Sequence, residues 1–195
     1  MKAVNDTRRA ILDSALRHFA DADYASVNLE DIARDANVTR APLYYYFKNK
    51  EGLYRTLVRT TLEDARTHMD ALLSADEDIF EVIRKEYGYC IHGLGDYRRI
   101  WYPGAGAPDC RDEVQAFSQW LIDRKTEIFT AARERDELSR DCDVAELVTL
   151  IYVFFYGTLD TLEFGQRLKG FNVSRLEHSE EWFMDIVRER YGVHS

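Results

Sequence analysis

Residues 28–50, Asn-Leu-Glu-Asp-Ile-Ala-Arg-Asp-Ala-Asn-Val-Thr-Arg-Ala-Pro-Leu-Tyr-Tyr-Tyr-Phe-Lys-Asn-Lys, constrain the chain more than any other stretch. They read as helix, tight turn, second helix and basic exit. Asn28 can cap a helix whose apolar positions are Leu29, Ile32, Ala33 and Ala36, its side-chain oxygen accepting from an otherwise unpaired backbone N–H. Asp31 stands where the reciprocal acid of a capping box belongs, although Glu or Gln is usual there. The helix stops at Asn37. A turn of this kind needs one residue in the left-handed conformation, and Asn is the best substitute for Gly. Val38 follows as an apolar plug, and Thr39 is placed to cap the second helix. Pro42 falls in the first turn, where a missing N–H costs little. Leu43 and Phe47, four apart, face inward, which leaves Arg40, Ala41, Tyr44 and Tyr45 outward, with Lys48 and Lys50 at the exit.

That outward face has the chemistry of a helix laid in the DNA major groove. Arg can bond a guanine edge in bidentate fashion, and Ala can touch a thymine methyl. Tyr and Lys suit phosphate, which positions a protein without reading sequence. A plain helical hairpin with a solvated face would account for Arg40 or Lys48 alone, but not for the whole ordered pattern. The candidate DNA-binding residues are Asn28, Thr39, Arg40, Ala41, Tyr44, Tyr45, Lys48 and Lys50.

The segment 7–57 resembles the TetR/AcrR transcriptional regulators. The likeness lies in Arg-Arg-Ala-Ile-Leu-Asp-Ser-Ala-Leu-Arg-His-Phe-Ala (8–20), Val-Asn-Leu-Glu-Asp-Ile-Ala (27–33) and Val-Thr-Arg-Ala-Pro-Leu-Tyr-Tyr-Tyr-Phe-Lys-Asn-Lys-Glu-Gly-Leu (38–53). The chain departs mildly from that pattern at Asn37, where Gly is commoner, and at Asn28, where Thr or Ser is. The resemblance implies an all-helical, homodimeric repressor of double-stranded operator DNA with an effector-binding C-terminal part. It says little about the remaining residues, which diverge freely in that family.

Net charge is −9, which looks wrong for a DNA binder until it is divided. Residues 1–60 carry ten Lys/Arg and eight Asp/Glu, whereas residues 61–195 carry sixteen and twenty-seven. Only the N-terminal end should approach a duplex, and its slight positive excess predicts weak non-specific binding. Cys90, Cys110 and Cys142 are few and widely spaced, as in a reduced cytoplasmic protein. The polar start Met-Lys-Ala-Val-Asn-Asp does not read as a signal peptide. No uninterrupted apolar run of about 18 residues suggests a membrane span.

Helical periodicity continues along the chain. A first helix is expected over 6–21, with Ile11, Leu12, Ala15, Leu16, Phe19 and Ala20 inward, completing a three-helix head; Tyr24 should tuck inward from the turn that follows. A long helix over 50–73 follows without a Gly-, Pro- or Ser-rich linker, a rigid lever from the head. Helices over 78–92 and 111–135 flank a loop at 101–110. Asp-Val-Ala-Glu at 143–146 opens a helix to about 168, apolar on nearly every face to Phe155, with Gly157 in its middle. A second capping box at 174–177 opens the last helix, to 191. These last two helices resemble the family's dimerisation pair. The division expected is a DNA-binding domain over 1–50 and a helical ligand-binding and dimerisation domain over 51–195.

The C-terminal part is rich in aromatics, as core and interface or as the lining of a pocket for a flat or greasy effector. Family resemblance favours a cavity between these helices, and the candidate effector-binding residues are Tyr87, Cys90, Trp101, Phe117, Trp120, Tyr152 and Tyr156. Glu86, His92 and tyrosine hydroxyls could orient a ligand. The sequence lacks His-x3-His, Cys-x2-Cys and His-Glu-x-x-His spacings, a phosphate loop and a nucleophile elbow, so no metal, cofactor or catalytic residue is expected. The main expectation is a repressor released from DNA by a small hydrophobic or aromatic effector. The alternatives are a regulator gated by a protein partner and a helical protein that sequesters small molecules.

Overall fold

The computed structural model describes residues 2–74, 77–102, 106–165, 176 and 179–193, with residues 2–5 and 163–165 as backbone. Among them the helices are α1 (Lys2–Asp21), α2 (Leu29–Asp35), α3 (Arg40–Phe47), α4 (Lys50–Leu72), α5 (Ile79–Gly93), α6 (Gly95–Trp101), α7 (Arg111–Glu134), α8 (Val144–Gly165) and α9 (Ser179–Tyr191). The all-α class follows. The chain forms two compact units, Met1–Arg66 with Gly95–Phe117, and Thr67–Leu94 with Ser118–Ser195. Their boundaries fall inside α4, between α5 and α6, and inside α7.

In the first unit the α1 stripe Ile11, Leu12, Ala15, Phe19 and Ala20 is buried, as are Ile32, Ala33, Leu43, Phe47 and Val27. Leu16 is half-buried. The buried Ser14 hydroxyl lies 3.0 Å from the Ile32 carbonyl and 2.8 Å from Asp35 Oδ2, its one proton serving either. Arg17 also donates to Asp35, at 2.6 Å. These contacts tie α1 to the middle and the C-terminal end of α2. Tyr24 does turn inward, stacking on Phe19 at 5.7 Å and meeting Tyr54 edge-on at 5.2 Å.

α6 was not legible in the sequence: Gly93 and Gly95 read as a stop, yet a new helix starts at Gly95. It supplies buried Ile100 and Trp101 to the first unit. Tyr54 Oη donates to the Ile100 carbonyl at 2.6 Å, and Trp101 Nε1 donates to Thr61 Oγ1 at 2.9 Å. Trp101 therefore closes a helix rather than opening the loop expected there.

In the second unit α5 is capped by Asp78, whose carboxylate accepts from Phe80 and Glu81 N–H at 3.0 and 3.2 Å. Glu137 Oε2 takes the Ile79 N–H at 2.9 Å. The apolar face of α5 meets α8 and α9 through Tyr87, Phe155 and Phe183. Tyr87 Oη and Ser179 Oγ share a hydrogen bond of 2.6 Å.

α8 opens as its sequence indicated, Asp143 Oδ1 accepting from Ala145 and Glu146 N–H at 3.0 and 3.1 Å. Val144–Leu162 is long and apolar enough on average to cross a membrane, although no unbroken apolar run exists there. A core helix has the same composition. Leu147, Ile151, Phe155 and Leu159 are buried, while Val153 on another face is 62% exposed. α9 is described from Ser179; Ser174 and Glu177 of the capping box expected to open it lie outside the described residues. Its buried stripe is Phe183, Met184, Val187 and Tyr191, with Ile186 half-buried.

Candidate nucleic-acid interface

The turn between α2 and α3 is built as its sequence demands. Asn28 Oδ1 accepts from Glu30 N–H at 3.0 Å. Asn37 adopts φ +54°, the left-handed conformation. Val38 N–H bonds the Ala33 carbonyl at 2.9 Å and Asn37 N–H bonds Arg34's at 3.0 Å, the paired bonds of a Schellman end. Asp31 does not return a cap; it pairs with Arg34 one turn on. Thr39 occupies the N-cap position of α3, but its side chain accepts no capping bond. Its extended backbone, not its hydroxyl, starts the helix.

α3 buries Leu43 and Phe47 and exposes Arg40, Ala41, Tyr44 and Tyr45, with Tyr45 80% exposed. Thr39 and Lys48 are exposed beside them, so six of the eight expected residues share one accessible face or its ends. The other two differ. Asn28 is exposed, but its side-chain oxygen is committed to the helix cap. Lys50 is half-buried: its Nζ donates to the Ala25 carbonyl at 3.2 Å and lies 4.6 Å from the Tyr24 ring centroid. Burial lowers its pKa. Lys50 fastens the 3₁₀ turn Tyr24–Ser26 to the start of α4.

Two features escaped sequence reasoning. Glu30 on α2 forms an ion pair with the Arg40 guanidinium, and no local spacing joins residues on different helices. The exit is a γ-turn: Lys48 has φ +65° and ψ −49°, and Asn49 N–H bonds the Phe47 carbonyl at 2.7 Å. This hand of the turn is rare and strained. Asn49 Oδ1 then accepts from Gly52 N–H at 2.7 Å, capping α4. A Cβ on Gly52 would overlap the Phe47 carbonyl oxygen, which explains glycine there.

The candidate effector residues divide between the units. Trp101 and Phe117 belong to the first, their rings 5.3 Å apart. Tyr87, Cys90, Trp120, Tyr152 and Tyr156 belong to the second. Tyr87 and Cys90 are buried, and the other three half-buried. Tyr152 and Tyr156 form a ring pair at 4.3 Å. Burial, reinforced by the Glu86 charge, pushes the Cys90 thiol pKa up, so the thiol stays protonated. Glu86 is wholly buried and paired with a lysine that the sequence did not single out, Lys125. His92 is exposed.

Residues 11–57 match the family described as bacterial regulatory proteins, tetR family. The HTH-type transcriptional regulator EthR of Mycobacterium tuberculosis is 26% identical over 161 residues, covering 80% of this chain and 74% of EthR. The HTH-type transcriptional regulator RutR of Escherichia coli K12 is 27% identical over 165 residues, covering 77% and 73%. Among solved structures, the SmeT–triclosan complex superposes with a TM-score of 0.73 at 20% identity, covering 97% of this chain and 93% of that one. SmeT represses a multidrug efflux pump of Stenotrophomonas maltophilia. With the capped α2, the left-handed Asn37 and the exposed α3 already in place, residues 11–57 are a DNA-binding segment of the tetR-family type, and the whole chain is similar to regulators of that family.

Proposed function

We infer that this regulator works in the cytoplasm as a homodimeric repressor, with residues 1–50 as the DNA-binding head and 51–195 as the effector-binding and dimerisation part. The observation that carries the reading is the α3 face, where Thr39, Arg40, Ala41, Tyr44, Tyr45 and Lys48 stand exposed over a buried Leu43 and Phe47. Arg40 reads a base edge, while the tyrosines and Lys48 hold phosphate. The operator is a near-palindrome whose half-site centres lie about one helical turn, 34–36 Å, or a multiple apart.

Support for the dimer comes from one face of the second unit. Val153 and Trp182 are 62% and 60% exposed, and a Cβ on Gly157 would meet nothing of its own chain within 4 Å. Large apolar side chains on α8 and α9 fit burial against the same helices of a second copy. α4 leaves the head at Lys50 and continues unbroken to Leu72, so displacing its far end re-aims the head. An effector releases operator only by binding the off-DNA state more tightly, and operator then weakens effector binding by the same factor.

The test is a fluorescence-anisotropy titration of operator and scrambled duplexes. Arg40→Ala should cost about 1–3 kcal/mol on operator and relax base preference, whereas Lys48→Ala should weaken all sequences alike. Parental binding by both variants on every duplex would remove α3 as the recognition helix.

A further inference from the structure

The second unit holds an ion pair inside an apolar core. Glu86 sits on the inward stripe of α5 with Val82, Ile83 and Cys90, and Lys125 sits on that of α7, four residues from both Leu121 and Phe129. Their side chains are 1% and 2% exposed. Lys125 Nζ contacts Glu86 Oε1 and lies 5.7 Å from the Phe155 ring centroid. Beyond that contact neither Glu86 oxygen has a hydrogen-bond partner among the described residues. An ionised carboxylate offers about four acceptor sites, so most of its capacity is unmet by the protein.

Such an arrangement is a poor way to stabilise a core. Burying each ion costs several kcal/mol, and apolar residues of similar volume serve as well or better. What the pair does offer is unmet acceptor capacity in an apolar setting. The two charges cancel, so a neutral ligand adds no net buried charge. An anion would face Glu86, and a cation would face Lys125, both at low dielectric where repulsion is strong. What the pair lacks is a donor to the carboxylate. What surrounds it is aromatic: Tyr87, on α5, meets Phe155 at 5.2 Å.

We propose that Glu86 and Lys125 are the polar anchor of the effector site, and that the effector is a neutral amphiphile. Its hydroxyl or N–H donates to the Glu86 carboxylate, and its apolar body lies against Tyr87 and Phe155. Burial raises the Glu86 pKa, and Lys125 opposes that rise while it aims the carboxyl group. This rests on the reading of the chain as an effector-responsive regulator.

The experiment is a thermal-shift titration of the full chain with four probes of matched size: 4-butylphenol, butylbenzene, 4-butylbenzoate and 4-butylbenzylamine. In the unaltered protein 4-butylphenol should bind at least about tenfold more tightly than butylbenzene, the return on one hydrogen bond to a charged group. Both charged probes should bind more weakly than the phenol. This rank order needs no variant to fold. The double variant Glu86→Met/Lys125→Met should remain folded and bind the phenol and butylbenzene alike. No shift with the phenol, an equal shift with butylbenzene, tighter binding of either charged probe, or a phenol preference that survives in the double variant would each overturn the anchor. Operator anisotropy separates the two readings. Phenol binding that depends on the pair but leaves operator affinity unchanged would support the anchor and overturn effector control.

Discussion

Gly52→Ala tests the exit of α3 by the sign of its effect. Gly52 lies in the first turn of α4, where helix propensity alone favours Ala by up to about 1 kcal/mol. The geometry opposes this. The added Cβ would overlap the Phe47 carbonyl oxygen and stand 3.3 Å from Asn49 Oδ1. That carbonyl cannot turn away cheaply, because it accepts the 2.7 Å bond that closes the γ-turn at Lys48. Overpacking of this kind costs typically about 1–3 kcal/mol. The net expectation is a loss of roughly 1–2 kcal/mol, or a melting temperature lower by about 2–8 °C for a chain of this size. Gly88→Ala is the control. It is also helical, on α5, but its Cβ would meet nothing within 4 Å, so about 0.5–1 kcal/mol of stabilisation is expected. Both variants should be melted at one protein concentration by circular dichroism. If Gly52→Ala is stabilised as much as Gly88→Ala, the close approach of Gly52 to Phe47 does not govern this turn.

Lys48→Gly should stabilise the fold by up to about 1 kcal/mol by relieving the positive φ, yet weaken binding to every duplex and lower the salt slope by about 1; equilibrium melts and salt-dependent anisotropy read the two effects. Gly157→Ala should raise the dimer dissociation constant in sedimentation experiments, because the partner's helices would fill the space its own chain leaves open; an unchanged or tighter dimer would move the interface elsewhere. The Arg17 and Ser14 hydrogen bonds hold the Asp35 carboxyl below its usual pKa. A folded pKa below the unfolded one adds stability above the unfolded value, and that stability disappears as pH falls through the folded value. Arg17→Ala should therefore raise the Asp35 pKa in an NMR titration and bring acid unfolding to higher pH; an unmoved titration would mean the contact is not made in solution.

Local periodicity and turn chemistry made the head readable. The α1 stripe, the Asn28 cap and the left-handed Asn37 each depend on neighbours a few residues apart, and each is present. What failed depended on distant partners. The hydroxyl of Thr39 has the right chemistry for a cap, but accepts no capping bond. Gly93 and Gly95 signal the end of α5, but nothing local signals the start of α6, whose Ile100 and Trp101 are held by residues about 40 to 46 positions earlier. Lys50 looked like a phosphate ligand, yet its partner is a backbone carbonyl 25 residues away. Lys125, 39 positions from Glu86, is an ordinary surface residue by type, and only the inward phase of its helix marks it. For the effector residues, periodicity gives the buried side of a helix but cannot say whether a ring lines a ligand or another ring.

Under the proposed role of Arg40 as the base reader, its pairing with Glu30 gives the DNA-free head a competitor for that residue. A duplex must displace that carboxylate to engage the guanidinium, and displacement leaves Glu30 negatively charged beside a polyanion. A base edge offering two acceptors compensates for both. A chance sequence offering only a phosphate compensates poorly, and Arg40 stays with Glu30. The contact thus acts as a threshold: it takes little from the cognate site and more from the far larger number of non-cognate ones, which is where a protein with so small a positive excess in its head gains selectivity.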